Sequence, residues 1–145
     1  MILDSKNLFS DQQAITVTAR STNVVDTTAV ARDIGIGEQL FVAITCSQTF
    51  TLNTGTPTLT ITIETDDNPG FSSTAVISSN PAIALAALTA NMEPLYLPIQ
   101  PGAWERYLSV NYTVAGGSFT LGKLTAALVK SIQRSKAYPG NFVTA

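Results

Sequence analysis

The chain has 145 residues, of which 45% are hydrophobic and only 12% charged, with a net charge of −2. It contains no histidine and one cysteine, Cys46, which excludes Ser-His-Asp and Cys-His catalysis, a structural zinc site and an intrachain disulfide. The acidic balance argues against nucleic-acid binding, which needs a basic field, and no apolar run approaches the roughly 18 residues of a membrane helix.

One domain spanning 1–145 is expected from the length, with an N-terminal segment 1–11 and a C-terminal tail 133–145 flanking it. A surface so poor in charge must be covered by neutral polar groups, and the chain has 20 threonines. Threonine is β-branched and suits a pleated, half-exposed surface. Such a surface desolvates cheaply under a partner, because few ions lose their water.

The opening Met1-Ile2-Leu3-Asp4-Ser5-Lys6 places an acid where a signal peptide needs an apolar run, so synthesis in a cytosol-like compartment is expected. Leu8 and Phe9 follow before any convincing strand. Ile15, Val17 and Ala19 alternate with Thr16, Thr18 and Arg20, the period of two that marks a half-buried strand. Gly35-Ile36-Gly37 reads as a turn. It lacks the third glycine and the long helix of a dinucleotide fingerprint. Leu40 to Cys46 reads as a buried strand in which Cys46 is a small core residue. After a turn signal at Asn53-Thr54-Gly55, Leu59, Ile61 and Ile63 alternate with Thr58, Thr60, Thr62 and Glu64.

Asp66-Asp67-Asn68-Pro69-Gly70 is a turn by composition, with its Asp and Asn expected to bond nearby backbone N–H groups. With Glu64 it forms the densest acidic cluster. Calcium is the rival reading, but the spacing is not that of an EF-hand. Asn80-Pro81 opens an ambiguous stretch to Met92: Leu85, Leu88 and Met92 have helical spacing, while Ile83 and Leu85 fit a strand. A short irregular segment is expected there. Leu95, Leu97 and Ile99 alternate between Pro94 and Pro98, which marks a short or edge strand. Pro101-Gly102 is another turn signal. Leu108, Val110, Tyr112 and Val114 alternate with Tyr107, Ser109, Asn111 and Thr113. Gly116-Gly117 signals a turn, and Leu124, Ala126 and Leu128 give a last strand running to about Ile132.

Strands divided by turns at this density predict an all-β, antiparallel two-sheet sandwich with under about a tenth of its residues in helix, against a usual third. Paired-carboxylate glycosidase chemistry needs two acids opposed across a cleft, and nothing in the spacing supplies them. Asn111-Tyr112-Thr113 matches a glycosylation sequon by chance, given the absence of a secretory signal. Trp104, Tyr107 and Tyr112 could form a sugar-stacking platform or an interface anchor, or pack into the core. No enzyme, no cofactor, no metal and no small-molecule substrate are expected.

Met1-Ile2-Leu3-Asp4 with Asn7-Leu8-Phe9-Ser10-Asp11, then Val25-Asp26, Ala31-Arg32-Asp33-Ile34-Gly35 and Gly37-Glu38, resembles the capsid cement (decoration) proteins of certain short-tailed double-stranded DNA bacteriophages. The likeness is strongest in Thr65-Asp66-Asp67-Asn68 with Phe71-Ser72-Ser73, and in Glu105-Arg106-Tyr107-Leu108 with Asn111-Tyr112; Phe119-Thr120 and the closing strand also fit. The resemblance implies a jelly-roll sandwich, made in the host cytoplasm, that pairs as a homodimer on the outside of an icosahedral head. There it would clamp neighbouring copies of the major capsid protein. The alternative is a carbohydrate- or receptor-binding β-sandwich module of a phage particle.

Both ends carry apolar residues that free termini usually lack. Leu8 and Phe9 stand near the start. No acid follows Glu105, while Arg106, Lys123, Lys130, Arg134 and Lys136 do, with Tyr138 and Phe142 around Pro139-Gly140. Either both ends fold back onto their own sandwich, or Leu8, Phe9, Arg134, Lys136, Tyr138 and Phe142 contact a capsid subunit, with aromatics as anchors and the cations meeting carboxylates.

Overall fold

A computed structural model of the chain describes residues 5–27, 39–100, 102 and 104–131. Strand accounts for 64% of them, and they include no α-helix, only single 3-10 turns at Ser5–Asn7 and Leu85–Ala87. The strands are β1 (Leu8–Ala14), β2 (Ala19–Arg20), β3 (Val25–Asp26), β4 (Leu40–Asp66), β5 (Ala75–Ser79), β6 (Ile83–Ala84), β7 (Leu95–Ile99) and β8 (Tyr107–Val129). All-β antiparallel architecture is what the alternating runs predicted. The described strands, however, are hydrogen-bonded into one eight-stranded sheet rather than two.

The frame is a ribbon of two long strands. β4, of 27 residues, runs antiparallel to β8, of 23, from the Phe41↔Val129 pair to Asp66↔Tyr107. Residues 8–27 follow the far side of β8 along its length: Leu8 pairs with Ala127, Ala19 with Tyr112, and Val25 with Leu108. On the far side of β4 lie β7 against Leu40–Ile44, β6 against Thr58 and Leu59, and β5 against Thr62–Thr65.

The turn signals at Asn53-Thr54-Gly55 and Gly116-Gly117 do not end strands. They lie opposite one another in the middle of the ribbon, where Gly55 pairs with Gly117 and the register shifts repeatedly between Cys46 and Thr58. Bulges bend and twist a strand without ending it. Gly55 and Gly116 have φ of 71° and 77°, and a Cβ on Gly55 would strike the Gly116 carbonyl. Only glycine permits so close an approach.

The bent ribbon encloses one core. Val42, Ile44, Cys46 and Phe50 from the first half of β4 share a cluster with Leu59, Ile61 and Ile63 from the second. Leu108, Val110 and Tyr112 from the start of β8 join Phe119, Leu124 and Ala126 from its end. Each such side chain contributes about 1.5–3 kcal/mol by leaving water. One side is stitched across the two halves: Asn23 N–H donates to the Phe9 carbonyl (2.9 Å), and the Tyr112 hydroxyl meets Ser10 Oγ (2.8 Å). Inside the bend, the Phe50 and Phe119 rings meet edge-on at 4.9 Å, and Gly122 lies beneath Phe50 with no room for a Cβ.

Three local expectations change. Residues 15–18 are not strand. Ile15 is buried, its N–H donating to the Gly122 carbonyl, whereas Val17 is exposed, because the chain rounds the bend there and loses the period of two. β1 begins at Leu8, inside the segment read as preceding any strand. Its polar stretch Ser10-Asp11-Gln12-Gln13 and its register shifts hide the alternation. β8 ends at Val129 rather than about Ile132. Pro81–Met92 is irregular as expected, holding β6 and one 3-10 turn, with Leu88 buried. Asn80 caps no helix there: its Oδ1 accepts the Ile61 N–H (2.7 Å), tying the segment to β4.

Candidate interaction surface

Of the residues expected to touch a partner, Leu8 is half-buried at the head of β1, paired with Ala127. Phe9 is fully buried in the core and offers no anchor to a partner, because β1 turns its ring inward between the two halves of the ribbon. Arg134, Lys136, Tyr138 and Phe142 lie outside the described residues, as do the Gly35-Ile36-Gly37 turn and the Ala31–Glu38 part of the resemblance. Arg106, part of the basic excess, is neutralised locally. It forms an ion pair with Asp26 (3.1 Å) that raises its pKa, and its guanidinium lies over the Tyr107 ring at 4.9 Å.

The aromatics do not form a platform. Tyr112 is buried, Trp104 packs partly buried against the core, and Tyr107 is half-buried beneath Arg106. Cys46 is buried, which raises its thiol pKa, and its S–H donates to the Gln48 carbonyl at 3.1 Å.

The acidic turn is built as expected at residues 67–70, which are exposed, but Asp66 itself is buried. Asp66 Oδ1 accepts the Asn68 N–H (2.8 Å) and Oδ2 the Ser73 N–H (2.7 Å), while Asn68 Oδ1 accepts the Gly70 N–H (2.8 Å). The Asn68 N–H holds the Asp66 carboxyl below its ordinary 3.8, against the opposing effect of burial, and the Ser73 N–H adds to the same pull. Asp67 and Glu105 bring carboxylate oxygens within 4.8 Å of Asp66 and of each other. Both Asp66 oxygens are already committed to the turn, so the cluster's evident work is to pin residues 66–73. Nearby Glu64 is buried and held by Arg20 at 2.8 Å, and the Arg20 guanidinium also covers the Phe71 ring at 4.6 Å.

A different feature stands out at the bend of the ribbon. Three of the large exposed apolar residues gather there: Val17 (59% exposed), Leu52 (52%) and Leu121 (49%). Thr51 pairs with Leu121 and Leu52 with Phe119, while Thr16 and Thr18 flank Val17 and bond Phe119 and Val114. Beside Leu52 opens an apolar groove of about 370 Å³, lined by Leu52, Gly55, Pro57, Thr58, Ala84 and Leu85 among others. No ionised side chain lies in residues 12–19, 39–63, 68–92 or 107–122, runs that include the segments forming the bend, 15–18, 51–56 and 115–121. Those charge-free runs were the available signal for it. Read strand by strand, they look like ordinary half-buried β sequence.

A comparison with curated proteins finds no match. The family model described as Bbp16 matches residues 9–128, a span that begins in β1, ends in β8 and so takes in nearly the whole sheet. The chain therefore belongs to the Bbp16 family, a phage-associated family.

Proposed function

We propose that this protein is a capsid cement, or decoration, protein: a structural component that binds the outside of an icosahedral phage head and bridges subunits of the major capsid protein. The observation that carries this reading is the family match, which covers the sheet from β1 to β8. The proposal is consistent with how the polar residues are used. Glu64 and Asp66, buried acids, serve an ion pair and a turn, and the exposed surface of the bend is threonine, asparagine, glycine and aliphatic side chains.

The mechanism is one of linkage and needs no catalytic step. A protein that binds the assembled shell better than its free subunits stabilises the shell in proportion to its occupancy. A homodimer spanning a joint would gain further, since docking one half makes docking the other intramolecular. The carbohydrate-binding alternative needs an exposed aromatic platform, and the packing of Trp104 against the core works against it.

The test is reconstitution. Heads of the encoding phage, assembled without this protein, are mixed with the purified chain, imaged by electron cryomicroscopy and heated. The expected result is added density on the outer surface and a higher temperature of shell rupture. Undecorated heads at saturating protein would refute the proposal.

A further inference from the structure

We propose that the charge-free bend of the ribbon is the docking surface, and that it takes an uncharged surface of the shell protein with an apolar side chain seated in the groove beside Leu52. This rests on the cement reading above and adds where and with what chemistry contact is made.

The argument is one of charge and exposure. The ribbon is folded in half, so its two open ends lie together, away from the bend. Glu64 and Asp66 on β4 stand at an open end, and the one charged residue of β8, the half-buried Lys123, pairs with Gln48 and Ala14 at the margin of the bend. At the bend, residues 51–56 and 115–117 are exposed without a break, as are Thr16, Val17, Thr18, Thr120 and Leu121. An ionised partner group buried against residues 51–56 and 115–117 would lose its water with no counter-ion among those residues, at a cost of several kcal/mol. A partner that presents hydroxyls, amides and apolar groups meets threonine hydroxyls and the Leu52, Leu121 and Val17 side chains without that penalty. The matching occupant is therefore neutral. A second copy in this place would show as self-association that Leu52→Asp abolishes, which the experiment below separates from shell binding.

A neutral contact has a signature that a basic one lacks: its affinity does not fall with salt. The experiment measures binding of the purified full chain to heads assembled without it, at low and high salt, for the natural protein and for Leu52→Asp, Leu121→Asp and Val76→Asp. Val76 is equally exposed, at 58%, but lies on β5. All three positions are surface sites, and circular dichroism and melting temperature check that the variants fold. The expected result is salt-independent binding, weakened about tenfold or more by Leu52→Asp and Leu121→Asp and left unchanged by Val76→Asp. Equal binding by all variants would overturn the proposal while leaving the cement reading standing. So would a steep loss of affinity with salt, or self-association abolished by Leu52→Asp with shell binding intact. Failure of the natural protein itself to bind takes both down together.

Discussion

Replacing Tyr112 by phenylalanine tests the way the two halves of the ribbon are joined. The Tyr112 side chain is fully buried, and its hydroxyl is 2.8 Å from Ser10 Oγ. Ser10 Oγ gives its only proton to Gln13 Oε1 at 2.7 Å, so Tyr112 must be the donor in the bond between them. Tyr112→Phe removes that bond and leaves Ser10 its own donor interaction, a loss of about 1 kcal/mol at neutral pH. The same burial raises the Tyr112 pKa from 10.0 to about 12, with the Ser10 bond opposing the rise. A phenol whose folded pKa lies above its unfolded value contributes stability that is intact below the unfolded pKa and is lost as pH climbs towards the folded one. At about pH 11 the unfolded chain has gained roughly 1.4 kcal/mol by ionising this tyrosine, while the folded chain has gained almost nothing. Phenylalanine cannot ionise, and the other tyrosines and lysines titrate alike in both proteins. Urea unfolding should therefore show the variant less stable by about 1 kcal/mol at neutral pH and equal to or slightly better than the natural protein near pH 11. A gap that stays constant between the two conditions would refute the reasoning.

Gly122→Ala should lower stability by about 1–3 kcal/mol in the same assay, because the new methyl runs into the Phe50 ring at a φ of 150°; an unchanged midpoint would mean that the bend repacks freely. Gln12 holds a φ of 46° on the exposed side of the β1 irregularity, so Gln12→Gly should raise the midpoint by the equivalent of about 0.5–1 kcal/mol. Asp66 contributes stability that is present above its ordinary 3.8 and lost as pH falls through its lower folded value. Asp66→Asn should flatten the acid limb of a melting-temperature profile below about pH 4, and an acid limb identical to the natural protein's would remove Asp66 from the account.

The period of two was legible wherever a strand has one face in the core and the other half in water. Leu59, Ile61 and Ile63 on β4, and Leu108 and Val110 on β8, point inward as their spacing required. The length of those strands was not legible. Gly55 and Gly116-Gly117 carry turn chemistry, and nothing local distinguishes a glycine that ends a strand from one that lets two strands cross at close range. The pairing of Gly55 with Gly117 is a non-local fact, fixed by residues some sixty positions apart. For the same reason Phe9 was open to misreading. A hydrophobic residue near a chain end is uninformative until β1 is seen against Ala126 and Ala127, and there its ring closes the core. The bend surface was hidden differently. Each charge-free run reads as ordinary β sequence alone, and only the fold of the ribbon brings residues 15–18, 51–56 and 115–121 from within those runs together at the bend.

The edges of the sheet bear on how such a protein associates. An open strand edge is a template for another chain, and natural sheets blunt it with bulges, prolines or cover. Here the β1 side is closed on itself by Asn23 to Phe9 and by Gln13, whose Nε2 donates to the Arg20 carbonyl and whose Oε1 accepts the Thr22 N–H. On the other side, β7 carries Pro98, and β5 shifts register between Ser78 and Val76, leaving Ile77 as the extra residue. Both sides are therefore poor at extending the sheet. Association by strand addition is disfavoured, and a partner is left with faces and with the end of the ribbon. The faces near the open ends are dotted with ion pairs such as Arg20–Glu64 and Arg106–Asp26, whose desolvation would offset much of what contact gains. The bend has no such cost. A sheet that blunts its edges and keeps its ion pairs away from the bend leaves the bend as the place where another protein surface binds most cheaply.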